Sequence, residues 1–463
     1  MSNTKTKIPI NVLLAVIATG LMSFCGVIVE TSMNISFPTL MKEFSVTTST
    51  VQWMTTIYLL VVAIVVPLSS FFKKNFRTKH LFIVSNLLFI LGVIVDAVAP
   101  AFSILLLGRV IQGLGTGIAL PLMFNIILEN VPEEKIGLMM GIGTLITAVA
   151  PAIGPTFGGL IVTSLGWRYI FVILLPILIV SFLLGIKNIE QKSQIQKSKF
   201  DLLSLFTLIL TFGGLIFGFS NMSQFQPSVV IAFVIGILGL IGFVIRSNKI
   251  DNPIVNLRVL KNHTFSSHVI SFFIFQILSL GFAFILPNYI QLVNGDSATV
   301  AGLAVFPAGV IGAILAPLGG KILDEVGARL PILFGVVCAD LSLIIFTIFS
   351  LHLSNTMIIF VYILYMFGMG MSLGNIMTNG LKYLSSADQA DGNAFFNTLQ
   401  QFAGATGTSI VSAIIAQSQT NTKLSTQVST AIGAQHAFIV LMILSLINFV
   451  ILFKAIPSNT QKN

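Results

Sequence analysis

Residues 10–36, INVLLAVIATGLMSFCGVIVETSMNIS, carry one carboxylate, Glu30, and no basic side chain. A helix rises about 1.5 Å per residue, so about 20 apolar residues cross a hydrocarbon layer about 30 Å thick. The run follows Lys5 and Lys7 and continues past residue 28 without a small-residue cleavage pattern. It therefore reads as a membrane span that retains an acid, and not as a removed signal peptide.

The rest of the chain repeats this chemistry. Of 463 residues, 55% are hydrophobic and 8% are charged, against about a quarter charged in soluble proteins. So few polar side chains cannot wrap that apolar content in water, which excludes a soluble enzyme. The net charge of +9 is not a nucleic-acid signal, because the bases punctuate apolar runs instead of forming a basic face. Cys25 and Cys338 both lie inside apolar runs, so no disulfide framework, metal site or cofactor is expected.

The apolar runs predict fourteen spans, near residues 10–36, 50–72, 80–99, 103–128, 137–160, 167–186, 201–220, 227–245, 265–292, 298–320, 330–350, 355–380, 391–417 and 434–454. All should be helices, since an unpaired backbone cannot cross hydrocarbon. With both termini cytoplasmic, 20 of the 24 Lys and Arg fall inside, and Lys42, Arg168 and Lys423 fall outside. A miscount by one span would destroy that asymmetry, so count and orientation support each other. The remaining base, Arg109, lies within the membrane.

A shift of 250 residues aligns Pro67-Leu68 with Pro317-Leu318, Ser70 with Gly320 and Lys79 with Arg329. The expected organisation is six plus two plus six: a bundle at 1–190, two additional helices with flanking loops at 191–263, and a second bundle at 264–463. Parallel repeats of this kind are the build of a transporter whose halves rock.

Four motifs resemble the major facilitator superfamily, specifically its fourteen-span drug:proton antiporters, and the likeness covers nearly the whole chain. Gly108-Arg109-Val110-Ile111-Gln112-Gly113-Leu114-Gly115 in span 4 is similar to the family's Arg-x-x-Gln-Gly-x-Gly. Ala150-Pro151-Ala152-Ile153-Gly154-Pro155-Thr156-Phe157-Gly158-Gly159 in span 5 resembles its antiporter motif. Gly320 to Arg329, with Asp324, resembles the loop after the second helix of each half, and Glu30 to Pro38 resembles the Asp-x-Thr-x-x-Asn of span 1. Each pattern alone is weak; four in order on the right spans are not. The first-half loop departs from the pattern, with Lys74 in the family's Asp position and Arg77 in its Gly position. That removes the expected basis for the loop-to-helix charge contact in this half.

Glu30 and Arg109 each lie about six residues, roughly 9 Å, below the outer surface. An Arg stabilises a carboxylate's charge when close and releases it to protonate when drawn away. Glu30 and Arg109 are thus the expected proton-coupling pair, with a static ion pair as the alternative. Asp340, mid-span, is a candidate second proton or cation site. Asp96 and Glu129, at helix ends, are expected to be solvated, and Trp53 and Tyr58 to anchor at the interface.

Substrate-binding candidates are Glu30, Asn34, Gln112, Gln276, Tyr365, Met369, Asn397 and Gln400, since a drug pocket needs apolar walls and a few polar groups. Gly154, Pro155, Gly158 and Gly159 would give span 5 a pliable, closely packed face. The resemblance assigns these four, with Asp324 and Arg329, to gating. The resulting expectation is a monomeric, proton-coupled exporter of lipophilic or cationic drugs in the bacterial cytoplasmic membrane, in contact with lipid and not nucleic acid. The alternatives are a dedicated exporter of one antibiotic, lipid or metabolite, and a Na+-coupled antiporter.

Overall fold

A computed structural model of the chain describes residues 8–46, 48–191, 194–195, 200–222, 226–250, 253–296, 298–419 and 424–457. Among them the structure is all helix. The long helices are α1 (Ile10–Ile35), α2 (Thr48–Val65), α3 (Thr78–Ala97), α4 (Phe102–Asn130), α5 (Ile136–Ser164), α6 (Arg168–Asn188), α7 (Leu202–Ser220) and α8 (Pro227–Lys249). After them come α9 (His263–Leu292), α10 (Ala298–Val326), α11 (Arg329–Phe349), α12 (Asn355–Lys382), α13 (Gln389–Gln419) and α14 (Thr426–Ala455). Among the described residues, 12 helices are long and apolar enough to cross a membrane. The two other long helices, α5 and α13, have 29 and 31 residues and pack among them.

Apolar side chains point outward as well as inward. On α8, Val230, Ile231 and Leu238 are each at least 58% exposed, an arrangement that lipid stabilises and water does not. Side-chain caps start several helices: Asn262, Ser354 and Ser425 accept from the backbone N–H of Phe265, Met357 and Val428 at α9, α12 and α14.

In the first bundle α1 packs on α4, α5 and α6, while α4 also meets α2 and α3. In the second, α9 packs on α12, α13 and α14, and α12 also meets α10 and α11. Two seams join them. At one, α5 lies along α10 with glycines at the crossing; a methyl group on Gly141 would stand 2.5 Å from the Ala316 carbonyl oxygen. At the other, α13 meets α4 and the helical continuation of α2 through Val66–Leu68 and Ser69–Asn75. The pair α7–α8 covers this second seam, with α7 touching both α2 and α13. Its Leu208, Phe212 and Ile216 share an apolar cluster with Ala63, Leu68 and Phe402.

The loops after α2 and α10 turn differently. Gly327 adopts φ +100°, which side chains avoid. Its repeat partner Arg77 sits at φ −66° and caps α3 in an extended conformation. With that extended backbone a large side chain fits at residue 77 without strain.

Candidate functional site

Arg109 is fully buried in α4. Its Nε donates to the Met54 carbonyl at 3.1 Å, its Nη1 donates to Gln112 Oε1 at 2.8 Å, and its guanidinium lies 4.2 Å above the Tyr58 ring. Arg109 and Gln112 are three apart, so one turn of helix places both on one face. Tyr58 donates its hydroxyl to the Gly26 carbonyl at 3.0 Å and lies 3.0 Å from Thr116 Oγ1. Tyr58 is therefore no interfacial anchor: it ties α1, α2 and α4 together beneath the arginine. Trp53 is 39% exposed and faces Phe217 of α7.

Glu30 is half-buried on α1, within reach of the Arg109 charge. Among the described residues the two form no direct ion pair, because Arg109 is held by Met54 and Gln112 instead. The Arg109 charge thus acts on Glu30, whereas among the described residues a salt bridge between them is absent. The next two residues of α1 meet the glycine face of α5. Ser32 Oγ donates to the Gly154 carbonyl at 2.9 Å, and a methyl group on Gly158 would come within 2.6 Å of the Ser32 carbonyl oxygen. Gly154 has Thr31 against it, and Gly159 is half-buried. The side chains of Asn34 and Pro155 lie outside the described residues.

Asp96 corrects the sequence reading. It is fully buried, and its Oδ2 accepts from Gln112 Nε2 at 2.8 Å. Solvation was expected because Asp96 is one residue from the end of α3; α4 and α6 pack over that end. Glu129 is also not freely solvated, since Lys73 pairs with it at 2.9 Å and both side chains are largely covered.

The second-half candidates are distributed over several places. Asp340 accepts from Ser445 between α11 and α14, in the other bundle from Glu30. Tyr365 is fully buried, stacked on Tyr362 and against Phe282. Met369 and Gln276 are buried on α12 and α9, and Gln400 is half-buried on α13. Asn397 donates to Asn393 Oδ1 at 2.7 Å, and Asn393 donates across the seam to Asn125 Oδ1 and the Pro121 carbonyl.

Polar ties between the bundles gather at the basic end. Asp324 accepts from the backbone N–H groups of Gly137 and Leu138 at 3.0 and 2.9 Å, capping the start of α5. Arg329 remains within its own half, donating to the Ile456 carbonyl at 2.6 Å above the Phe453 ring. Across the other seam Lys74 pairs with buried Asp391 at 2.9 Å, and Ser70 bonds the same carboxylate. A charge contact is thus present in the first half with polarity inverted relative to Asp324: the base is in the last turn of the helical continuation of α2 and the acid in the first turn of α13. At the opposite end each bundle ties its own loops, as in Arg168 with Glu43 and the Ala99 carbonyl, and Asn355 with Asp296.

A family model described as Major Facilitator Superfamily matches residues 19–408. The "Lincomycin resistance protein LmrB" of Bacillus subtilis (strain 168) is 37% identical over 446 residues, covering 93% of this chain and 93% of its own. The "Multidrug export protein EmrB" of Haemophilus influenzae is 27% identical over 427 residues, covering 89% of this chain and 82% of its own. The solved structure of the proton:xylose symporter XylE superposes with a TM-score of 0.68 at 13% identity, covering 97% of each chain, which is a likeness of fold alone. On the family match and the extent of these alignments, the chain belongs to the Major Facilitator Superfamily and is a multi-span membrane transporter.

Proposed function

We propose that the chain exports lipophilic or cationic drugs across the bacterial cytoplasmic membrane in exchange for protons, and that Glu30 is the exchanging group. The observation that carries this reading is a half-buried carboxylate beside a buried arginine whose hydrogen bonds go elsewhere. An acid in that position takes a proton or a cation, and the two compete for it. The Arg109 charge opposes a second cation, so proton and drug are not held together.

In this reading the chain crosses fourteen times, and the bundles at 1–190 and 264–463 rock about the α5–α10 and α2–α13 seams, with 191–263 covering the latter. The ties at the basic end belong to a state shut toward the cytoplasm, in which Glu30 faces the outside. An outside proton displaces the drug there. Reopening inward after the ties break returns the proton to the cytoplasm and admits the next drug.

A second reading is a dedicated antibiotic exporter, favoured by the name of the Bacillus relative. Proteoliposomes with an acidic interior and a trapped pH dye separate the two. Native and Glu30→Gln proteins receive ethidium, lincomycin or a neutral lipophile, with and without Na+. Proton release by native protein with both ethidium and lincomycin supports multidrug antiport. Release with lincomycin alone supports the dedicated exporter. No release with any compound, or equal release by Glu30→Gln, overturns the assignment of Glu30.

A further inference from the structure

Asp96 has no part in the exchange just described, yet it occupies a built pocket. Gly108 leaves the space its carboxylate fills, and Gly92 does the same for Gln112, whose Cγ would lie 2.6 Å from a methyl group there. Gln112 holds Asp96 through its amide nitrogen and Arg109 through its amide oxygen, both at 2.8 Å. The carboxamide therefore has one orientation that serves both neighbours. Within this cluster two buried atoms have no hydrogen-bond partner among the described residues: Oδ1 of Asp96 and Nη2 of Arg109.

We infer that Asp96 is a positioning residue that sets the pH at which Glu30 exchanges its proton, by directing Arg109 through Gln112. When Asp96 is ionised it accepts from the amide nitrogen, and the amide oxygen faces Arg109 and holds it. A proton on Asp96 makes it a donor. The amide can then turn its oxygen to Asp96 and its nitrogen to Arg109, and two donors facing each other release the arginine toward Glu30. One guanidinium thus serves two carboxylates, and a proton on either affects proton binding at the other. The remaining charged groups on helices packed against α3 are occupied or remote. Arg168 on α6 is paired with Glu43 and bonded to the Ala99 carbonyl, while Lys73, Lys74, Arg77, Lys79, His80, Glu129 and Lys187 lie at the opposite end of α3, Glu129 paired with Lys73.

The inference rests on Glu30 as the exchanging group, but its test needs no substrate. Infrared titration of purified protein in an Asp340→Asn background follows the protonated carboxyl band, and the difference from Glu30→Gln isolates Glu30. With Asp96→Asn, which is isosteric and permanently uncharged, the Glu30 midpoint should move to lower pH by about one unit, a tenfold loss of proton affinity. Gln112→Leu should move it in the same direction, since Arg109 loses the same acceptor. A folded variant with an unchanged or alkaline-shifted midpoint overturns the proposal. In the native sequence the cluster should titrate in two steps, one of which survives Glu30→Gln; a single step abolished by that change also overturns it. A shifted midpoint with no drug-linked proton release would instead refute the antiport reading and leave the linkage standing.

Discussion

Removing the positive charge at residue 74 should unlatch one seam. Asp391 is fully covered, while the Lys74 side chain is 39% exposed. In Lys74→Met the buried carboxylate keeps only Ser70 as a side-chain partner among the described residues. Truncating one partner of a buried, hydrogen-bonded charge pair costs about 2–5 kcal/mol, and the partial exposure of Lys74 puts the cost near the lower figure. About 2 kcal/mol against the inward-shut state raises the population open to the cytoplasm about 30-fold. Ala394, fully buried three residues further along α13, reports that opening. In a Cys25→Ala, Cys338→Ala background, Ala394→Cys should react with a membrane-impermeant maleimide from the basic side about 30-fold faster when Lys74→Met is added. Lys74→Asp should react faster still, because two carboxylates then face each other. Combining Lys74→Asp with Asp391→Asn should restore slow labelling, since an acid at 74 then faces the start of α13. Labelling of the Lys74→Asp variant as slow as in the native protein would refute the argument.

Arg109→Lys keeps the charge but cannot reach Met54 and Gln112 while covering Tyr58; drug-linked proton release should fall at least about tenfold, with protein yield unchanged. Gly158→Ala places a methyl group against the α1 backbone at Ser32, and thermal unfolding in detergent should show a loss of about 1–3 kcal/mol. The hydrogen bonds from Arg246, aided by Ser204, hold Asp201 down to about 2 from 3.8. Because the folded value is the lower one, this contribution is fully present above about pH 4 and is lost as pH falls toward 2. Melting curves of native and Arg246→Ala proteins should therefore differ at pH 6, draw together as pH falls from about 4, and converge only below about pH 2.

The long helices were legible because most are apolar runs set apart by charged or polar turn residues. That Glu30 and Arg109 come within reach of each other could be read by counting residues along two such runs. What could not be counted was cover. Asp96 at a helix end reads as wet unless its neighbours are known, although the spacing held a signal: Gly92 is four residues earlier, so the acid lies on a glycine face that another helix can approach. Tyr58 was misplaced for the same reason, being on a face that α4 covers. The inverted latch was half visible. Lys74 stood out at once, but its acid is 317 positions away in sequence, and no local pattern links them.

The position of α7–α8 makes the two flanks of the transporter chemically unequal. The α2–α13 seam has protein beside it, packed with Phe212, Phe219 and Phe402. Along α10 at the other seam, Leu303, Ile314 and Leu318 are about half exposed or more, toward lipid. A solute dissolved in the bilayer therefore meets the added helix pair on one side and the close-packed α5–α10 crossing itself on the other. The α5–α10 crossing is thus the seam that borders the membrane without the added helix pair between.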